Sequence, residues 1–249
     1  MAIVKKYKAK IEQIINPLPD IYTVTFSSDK KFQYLPGQFL HLALDDYDGI
    51  GQWPESRCFS MQSNPNDELL KITFAVKGNF TNRMKNELHE GKEVWLKLPY
   101  GELFTQPHNK TNTVFIAGGT GITPFLSLFT HESFNEYVNP HIYLGFRSAE
   151  YNIYGNELTS VELSGEREKK LHGVAQSRHR EPQSNHSNKT IKIFYENEYG
   201  IIDIKTIFAE NGTNSDYFIS GPPIMIKSFK SYLIKNGLPG QNVITDDWE

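Results

Sequence analysis

The chain has 249 residues, enough for one large domain or two of ordinary size. Its 26 basic and 29 acidic side chains leave a formal charge of −3, so no strong field of either sign marks it for nucleic acid, and a composition 38% hydrophobic and 22% charged is globular and soluble rather than disordered. The single cysteine, Cys58, excludes disulfides within the chain and a cysteine-ligated iron–sulfur cluster, which takes about four thiolates. The first ten residues alternate polar and apolar positions and lack the apolar core of a signal peptide. No apolar run approaches the roughly 20 residues of a membrane span, so a cytoplasmic protein is expected.

The first hundred residues read as strands and turns. Residues 21–26 and 70–74 alternate with period two, Pro36-Gly37 opens an apolar stretch over 39–44, and residues 94–98 form another. Asn16-Pro17, Asn64-Pro65 and Glu90-Gly91 stand as breakers between them. Short strands at this spacing predict an antiparallel barrel or sandwich. One helix is expected inside it, over about 81–89, with Met84 and Leu88 on one face. The pattern changes at 105–112. Val114-Phe115-Ile116-Ala117 is a continuous apolar run, as in a buried parallel strand. A glycine loop follows, then a helix from about Pro124. Further strands are expected at 142–144, 191–195 and 217–219, and a last helix over 224–236 with Gly237 as its stop. Strand alternating with helix implies a parallel sheet. Residues 164–190 are almost free of large apolar side chains and read as a solvated, mobile insertion; His172, His179 and His186 within it do not have the spacing of a metal site, and no metal is expected.

Four segments could carry chemistry. Gly118-Gly119-Thr120-Gly121-Ile122-Thr123-Pro124 follows one buried strand and opens a helix, where glycines let the backbone approach an anion and free N–H groups favour phosphate. The same segment fits an ordinary strand-to-helix turn, and proline stands where the common dinucleotide fingerprint has its last glycine. Ser220-Gly221-Pro222-Pro223 repeats that context and puts Ser220 at the carboxyl end of a strand, where open α/β sheets bind ligands. In Arg57-Cys58-Phe59-Ser60 the arginine could clamp phosphate, the aromatic lie along a flat ring and the hydroxyl donate to a ring nitrogen. On a strand, Arg57 and Phe59 face one side, Cys58 and Ser60 the other. Val76 leads into the turn Lys77-Gly78-Asn79-Phe80-Thr81, whose amides and Thr81 hydroxyl could hold phosphate or simply cap a helix.

The order of these motifs resembles the ferredoxin–NADP reductase superfamily over nearly the whole chain. The matches are Arg57, Phe59 and Ser60 to its Arg-x-Tyr/Phe-Ser flavin motif, Gly78 and Thr81 to its Gly-x-x-Ser/Thr phosphate turn, and Gly118 to Pro124 to its Gly-Gly-Thr-Gly-Ile-x-Pro loop. Pro99, Gly101 and Phe104 approximate the pattern that closes its barrel, with one extra residue before the phenylalanine. Gly145, Arg147 and Ser148 match the segment after its second strand, and Ser220-Gly221-Pro222-Pro223 its Cys-Gly-Pro-Pro with serine in place of cysteine. The resemblance implies two domains: an antiparallel six-stranded β-barrel holding flavin over 1–107, then an α/β parallel-sheet nucleotide-binding domain over 108–249 that carries the insertion.

The resemblance also assigns roles. Arg57 would bind flavin phosphate, with Cys58, Val76, Gly78, Asn79, Phe80 and Thr81 around the same cofactor; Phe59 would pack on the ring system and Ser60 bond near its N5. Gly119, Thr120, Gly121, Pro124, Gly221 and Pro222 would bind the nicotinamide nucleotide, with Ser220 and Asp246 at the reacting end and Trp248 covering the flavin. Arg147 and Ser148 could engage a 2′-phosphate, which favours NADPH over NADH. FAD is favoured over FMN because members without an iron–sulfur domain use FAD. The implied activity is hydride transfer between NAD(P)H and flavin, with electrons passed to a separate small redox protein such as a ferredoxin, a flavodoxin or an oxygenase component. Alternatives are reduction of free flavin, ferric chelates or quinones, and a non-catalytic nucleotide-binding redox sensor.

Overall fold

The computed structural model describes residues 3–159 and 189–246. Trp248 and residues 164–188 of the expected insertion lie outside the described residues. Two compact units form: residues 3–106 with 122–131, and residues 107–121 with the described residues of 132–246.

The first unit is an antiparallel six-stranded sheet that curls into a nearly closed barrel. Its strands are β1 (Lys5–Leu18), β2 (Ile21–Ser28), β3 (Phe39–Ala43), β4 (Ser56–Ser60), β5 (Leu70–Ala75) and β6 (Glu93–Tyr100), in the order β4-β3-β6-β1-β2-β5. Alternation decides which side chains turn inward. Tyr7, Ala9 and Ile11 of β1 meet Val24 and Phe26 of β2, Leu40 and Leu42 of β3, Ile72 and Phe74 of β5, and Val94, Leu96 and Leu98 of β6 in one core. The two edges of the sheet come together just past β4, where Gln62 N–H donates to the Lys71 carbonyl at 2.8 Å. The Gly101–Phe104 stretch folds back on the Pro36-Gly37 turn. Gln38 Nε2 donates to the Gly101 carbonyl at 2.9 Å. The Phe104 ring lies so close over Gly37 (φ +78°) that a Cβ there would sit 2.4 Å from it.

Strand β1, the longest of the six, is absent from the expected elements. Lysines fill the outward positions of its first half, and beyond Ile11 the alternation lapses. Asn16-Pro17, expected as a break, lies within the last residues of the strand. The register with β2 shifts between Ile15 and Leu18, so no ladder bond is asked of the proline nitrogen. Asn16 Nδ2 ties that end down by donating to the carbonyls of Leu18 (2.5 Å) and Ile21 (2.8 Å). Helix α1 (Asn79–Glu87) begins two residues before the expected start. Gly78 is its extended N-cap, and the Thr81 hydroxyl accepts from Lys77 N–H (2.9 Å) and Gly78 N–H (3.1 Å). It ends where Leu88 turns extended.

The second unit is a five-stranded parallel sheet, β7 (Asn112–Gly118), β8 (Asn139–Phe146), β9 (Thr190–Tyr195), β10 (Asp216–Ser220) and β11 (Val243–Thr245), in the order β11-β10-β7-β8-β9. Each strand expected from apolar runs is present; the three-residue β11 is not legible as a run. Helix α2 (Thr123–Phe129) follows β7 and groups with the barrel unit. Helices α3 (Ile204–Asn211), unforeseen, and α4 (Pro223–Lys235) cover one face of the sheet. Ile207, Ile226, Phe229 and Leu233 pack there on Val114, Ile116, Tyr217 and Ile219. The opposite face is aromatic, with Phe115 stacked on Phe218 at 5.4 Å and against Tyr137 at 5.4 Å. Each such buried side chain contributes about 1.5–3 kcal/mol. Helix α4 stops at Gly237, which adopts φ +94° as the expected cap does.

Candidate functional site

In the barrel unit, β4 runs beside β3 with Leu42 opposite Arg57 and Leu40 opposite Phe59. Arg57 and Phe59 therefore share one side of the strand. Phe59 is half-buried and meets Phe74 edge-on at 6.0 Å. The Arg57 guanidinium is exposed and lies 5.2 Å from the centre of the buried Phe80 ring, the second residue of α1. The arginine motif and the Gly78–Thr81 turn thus meet through this pair. Arg57 also donates to the Ser56 carbonyl (2.9 Å) and to Glu55 (3.0 Å).

Cys58 and Ser60 turn to the other side of β4, as the period of two requires. The Cys58 thiol rests 3.7 Å from His41 Nε2, away from Arg57. Burial pushes the thiol up from its ordinary value, and burial together with the Lys97 ammonium pushes His41 down. Both shifts favour the uncharged thiol and imidazole over a thiolate–imidazolium pair. Val76 is half-buried, and its N–H donates to the Asp20 carbonyl at 2.8 Å. Asn79 is exposed at the first position of α1. The Thr81 hydroxyl is committed to two backbone N–H groups of its own turn, which is the capping alternative.

In the sheet unit the strand order reverses at β7. The chain moves out from β7 to β8 and β9, then returns to β10 on the other side of β7. Such a reversal leaves a crevice at the carboxyl ends of the two central strands, the place where open α/β sheets take ligands. Both glycine segments lie there: Gly118–Gly121 leaves β7, and Ser220-Gly221-Pro222 leaves β10. They touch backbone to backbone. A Cβ on Gly121 would stand 2.5 Å from Gly221 Cα and N, and one on Gly221 would stand 3.0 Å from Gly118 N. Gly119 adopts φ +56° beside open space, and Gly119–Ile122 forms a 3₁₀ turn that runs into α2. Pro124 falls at the second helical position, one later than expected, and is buried.

Ser220 is 2% exposed and Asp246 8% exposed, and the serine hydroxyl donates to Asp246 Oδ2 at 2.9 Å. Asp246 N–H donates to the Ile219 carbonyl at 3.0 Å, continuing the β11 ladder and fixing the carboxylate at the end of β10. The two residues expected at the reacting end are therefore partners, a link that composition and spacing did not disclose. At the end of β8, Arg147 is exposed with its guanidinium 5.7 Å from the Tyr151 ring centre, and Ser148 caps the short turn over Ala149–Tyr151. The Arg147 carbonyl accepts from Asn197 N–H at 3.2 Å, so the ends of β8 and β9 are joined.

Two side chains of the barrel site escaped the sequence reading. Glu55, just before the arginine motif, holds Arg57 from one carboxylate oxygen and faces Arg83 of α1 from the other. Only an alternation of opposite charges around the two motifs could have hinted at them.

The oxidoreductase NAD-binding domain family matches residues 115–231. Among solved structures, the cytochrome P450 reductase GcoB of Amycolatopsis superposes with a TM-score of 0.75 at 14% identity, over 98% of this chain and 70% of that one. A ferredoxin NADP+ reductase from Neisseria gonorrhoeae with bound FAD and NADP superposes with a TM-score of 0.69 at 18% identity, over 95% and 93% of the two chains. Both carry the same two-unit fold. The chain has the fold of these reductases. The reductase component of propane 2-monooxygenase from Mycolicibacterium smegmatis is 26% identical over 88% of this chain and 60% of its own length. The chain spans between a third and three fifths of such curated relatives. No helix among the described residues is long and apolar enough to cross a membrane.

Proposed function

We propose that this chain is a flavin-dependent NAD(P)H oxidoreductase that passes electrons to a separate protein acceptor, an oxygenase component or a small redox carrier, in the cytoplasm. Residues 1–107 hold FAD and residues 108–249 the nicotinamide nucleotide. The observation that carries this reading is the strand reversal at β7 and β10, where two glycine turns abut with no room for a Cβ and the buried Ser220–Asp246 pair sits at the same edge. The barrel residues also fit a flavin: an exposed guanidinium laid against Phe80 suits its phosphate, and half-buried Phe59 suits its ring.

Bound flavin supplies the exchange between two-electron hydride chemistry and one-electron transfer. The chain supplies positioning and electrostatics. Arg57 binds phosphate with the donors that Ser56 and Glu55 leave free, Ser60 donates at the ring edge, and Val76 to Thr81 provide the turn beside it. The Gly119-Thr120-Gly121 backbone and Gly221-Pro222 seat the nucleotide, and Pro124 stiffens the start of the helix that follows. Ser220 keeps the Asp246 carboxylate oriented toward the reacting end. Trp248 belongs to this proposal as the cover of the flavin. Arg147 and Ser148 meet the ribose 2′-phosphate, which selects NADPH. The test is the visible spectrum of the purified protein under anaerobic conditions, before and after one equivalent of NADPH. A flavin band that bleaches is the expected result; no flavin band even after FAD is added overturns the proposal.

A further inference from the structure

Arg57 is one of two arginines that share a single carboxylate. Glu55 Oε1 lies 3.0 Å from Arg57 Nη2, and Glu55 Oε2 lies 3.7 Å from Arg83 Nη1. Arg83 is fixed independently, by Asp45 at 2.7 Å and by Glu87 at 2.9 Å. Lys92 stands 3.5 Å from Glu87. Three carboxylates thus face three cations, so the cluster is formally neutral and Glu55 adds no attraction for an anion. Glu55 is not required to place the Arg57 guanidinium either, because the Ser56 carbonyl and the Phe80 ring hold it from two other directions. What Glu55 takes from Arg57 is an Nη2 donor, one of the groups with which a guanidinium grips a phosphate.

We infer that the Glu55 carboxylate is a built-in competitor for flavin phosphate on Arg57, and that Arg83 is the second cation that receives Glu55 when phosphate displaces it. The inference rests on the proposed flavin reading. Both side chains of the Arg57–Glu55 pair are about half exposed, so the contact is weak and reversible, as a competitor must be. Its consequence is a flavin held more loosely than the Arg57 site alone would hold it, and therefore exchangeable.

The test is titration of flavin-free protein with FAD, FMN and riboflavin, followed by flavin fluorescence. Glu55→Gln should bind FAD and FMN about threefold to fivefold more tightly than wild type, the size of one exposed ion pair, and riboflavin equally. Arg83→Gln leaves Glu55 to Arg57 alone and should weaken FAD and FMN. If Glu55→Gln binds the phosphorylated flavins no more tightly, or tightens riboflavin as much, the inference is wrong while the flavin reading stands. If wild type binds none of the three, the flavin reading fails and takes the inference with it.

Discussion

The end of the barrel where β4 meets α1 and the carboxyl edge of the parallel sheet are built on opposite principles. At the barrel end the chemistry is side chain on side chain in the open: Arg57, Glu55 and Arg83 are each a third or more exposed and could be exchanged one at a time. At the sheet edge it is backbone on backbone: the turns after β7 and β10 meet at Gly121 and Gly221 with no space between them, and the polar pair Ser220–Asp246 is buried. A loose, solvated site suits a ligand that comes and goes on electrostatics. A site made of touching backbone cannot adjust, so it selects by shape.

The sharpest way to break this contrast is Gly121→Ala. Its Cβ meets main chain rather than a movable side chain, so a loss of about 3 kcal/mol or more is expected, with nucleotide-dependent reduction abolished. Gly119→Ala is the companion. Open space surrounds it, and only its φ of +56° opposes a side chain, so a cost of about 1–2 kcal/mol is expected. Chemical denaturation of the two variants separates the cases, and equal losses would mean that the backbone crossing is not rigid.

Ser220→Ala removes the hydroxyl that donates to a buried carboxylate and should cost about 1–3 kcal/mol in the same measurement. Its effect on NADPH oxidation should exceed that on flavin affinity. Arg57→Ala should do the reverse. Stability should change by less than about 0.5 kcal/mol, as at an exposed site, while FAD affinity falls about tenfold or more. Arg147→Ala should raise the Michaelis constant for NADPH by about threefold to tenfold and leave that for NADH nearly unchanged. Equal effects on both nucleotides would remove Arg147 from the 2′-phosphate.

The smallest effect is on acid stability. The Arg83 guanidinium bonded to Asp45 and to Glu87 holds both carboxyls below the usual range, chiefly through those hydrogen bonds. A depressed carboxyl stabilises the fold above its ordinary value of about 4, and that contribution is lost as pH falls through the folded values. Acid unfolding of wild type followed by circular dichroism should therefore begin at a lower pH than that of Arg83→Gln. Coincident curves would show that the cluster does not support α1.

Much of both units was legible in the chain. Alternation in residues 21–26 and 70–74 and the apolar runs at 114–117 and 217–219 specify which side chains must be covered, and the strands formed there. The glycine and proline punctuation placed the two turns at the sheet edge and the stop of α4. Illegible were β1, whose alternation lapses beyond Ile11, and β11, whose three residues are too few to show a period. The partnership of Ser220 with Asp246 was hidden too, because the two are 26 residues apart and joined only by the pairing of β10 with β11.

By itself, the sequence determined the class of each unit, the order of the motifs and the superfamily they resemble, because hydrophobic period and turn chemistry act over a few neighbouring residues. Only the tertiary structure decided that Gly121 must lie on Gly221, that Asp246 answers Ser220 and that Glu55 stands between Arg57 and Arg83. Those meetings depend on strand register and on where α1 packs against the barrel, and no local preference of the chain encodes either.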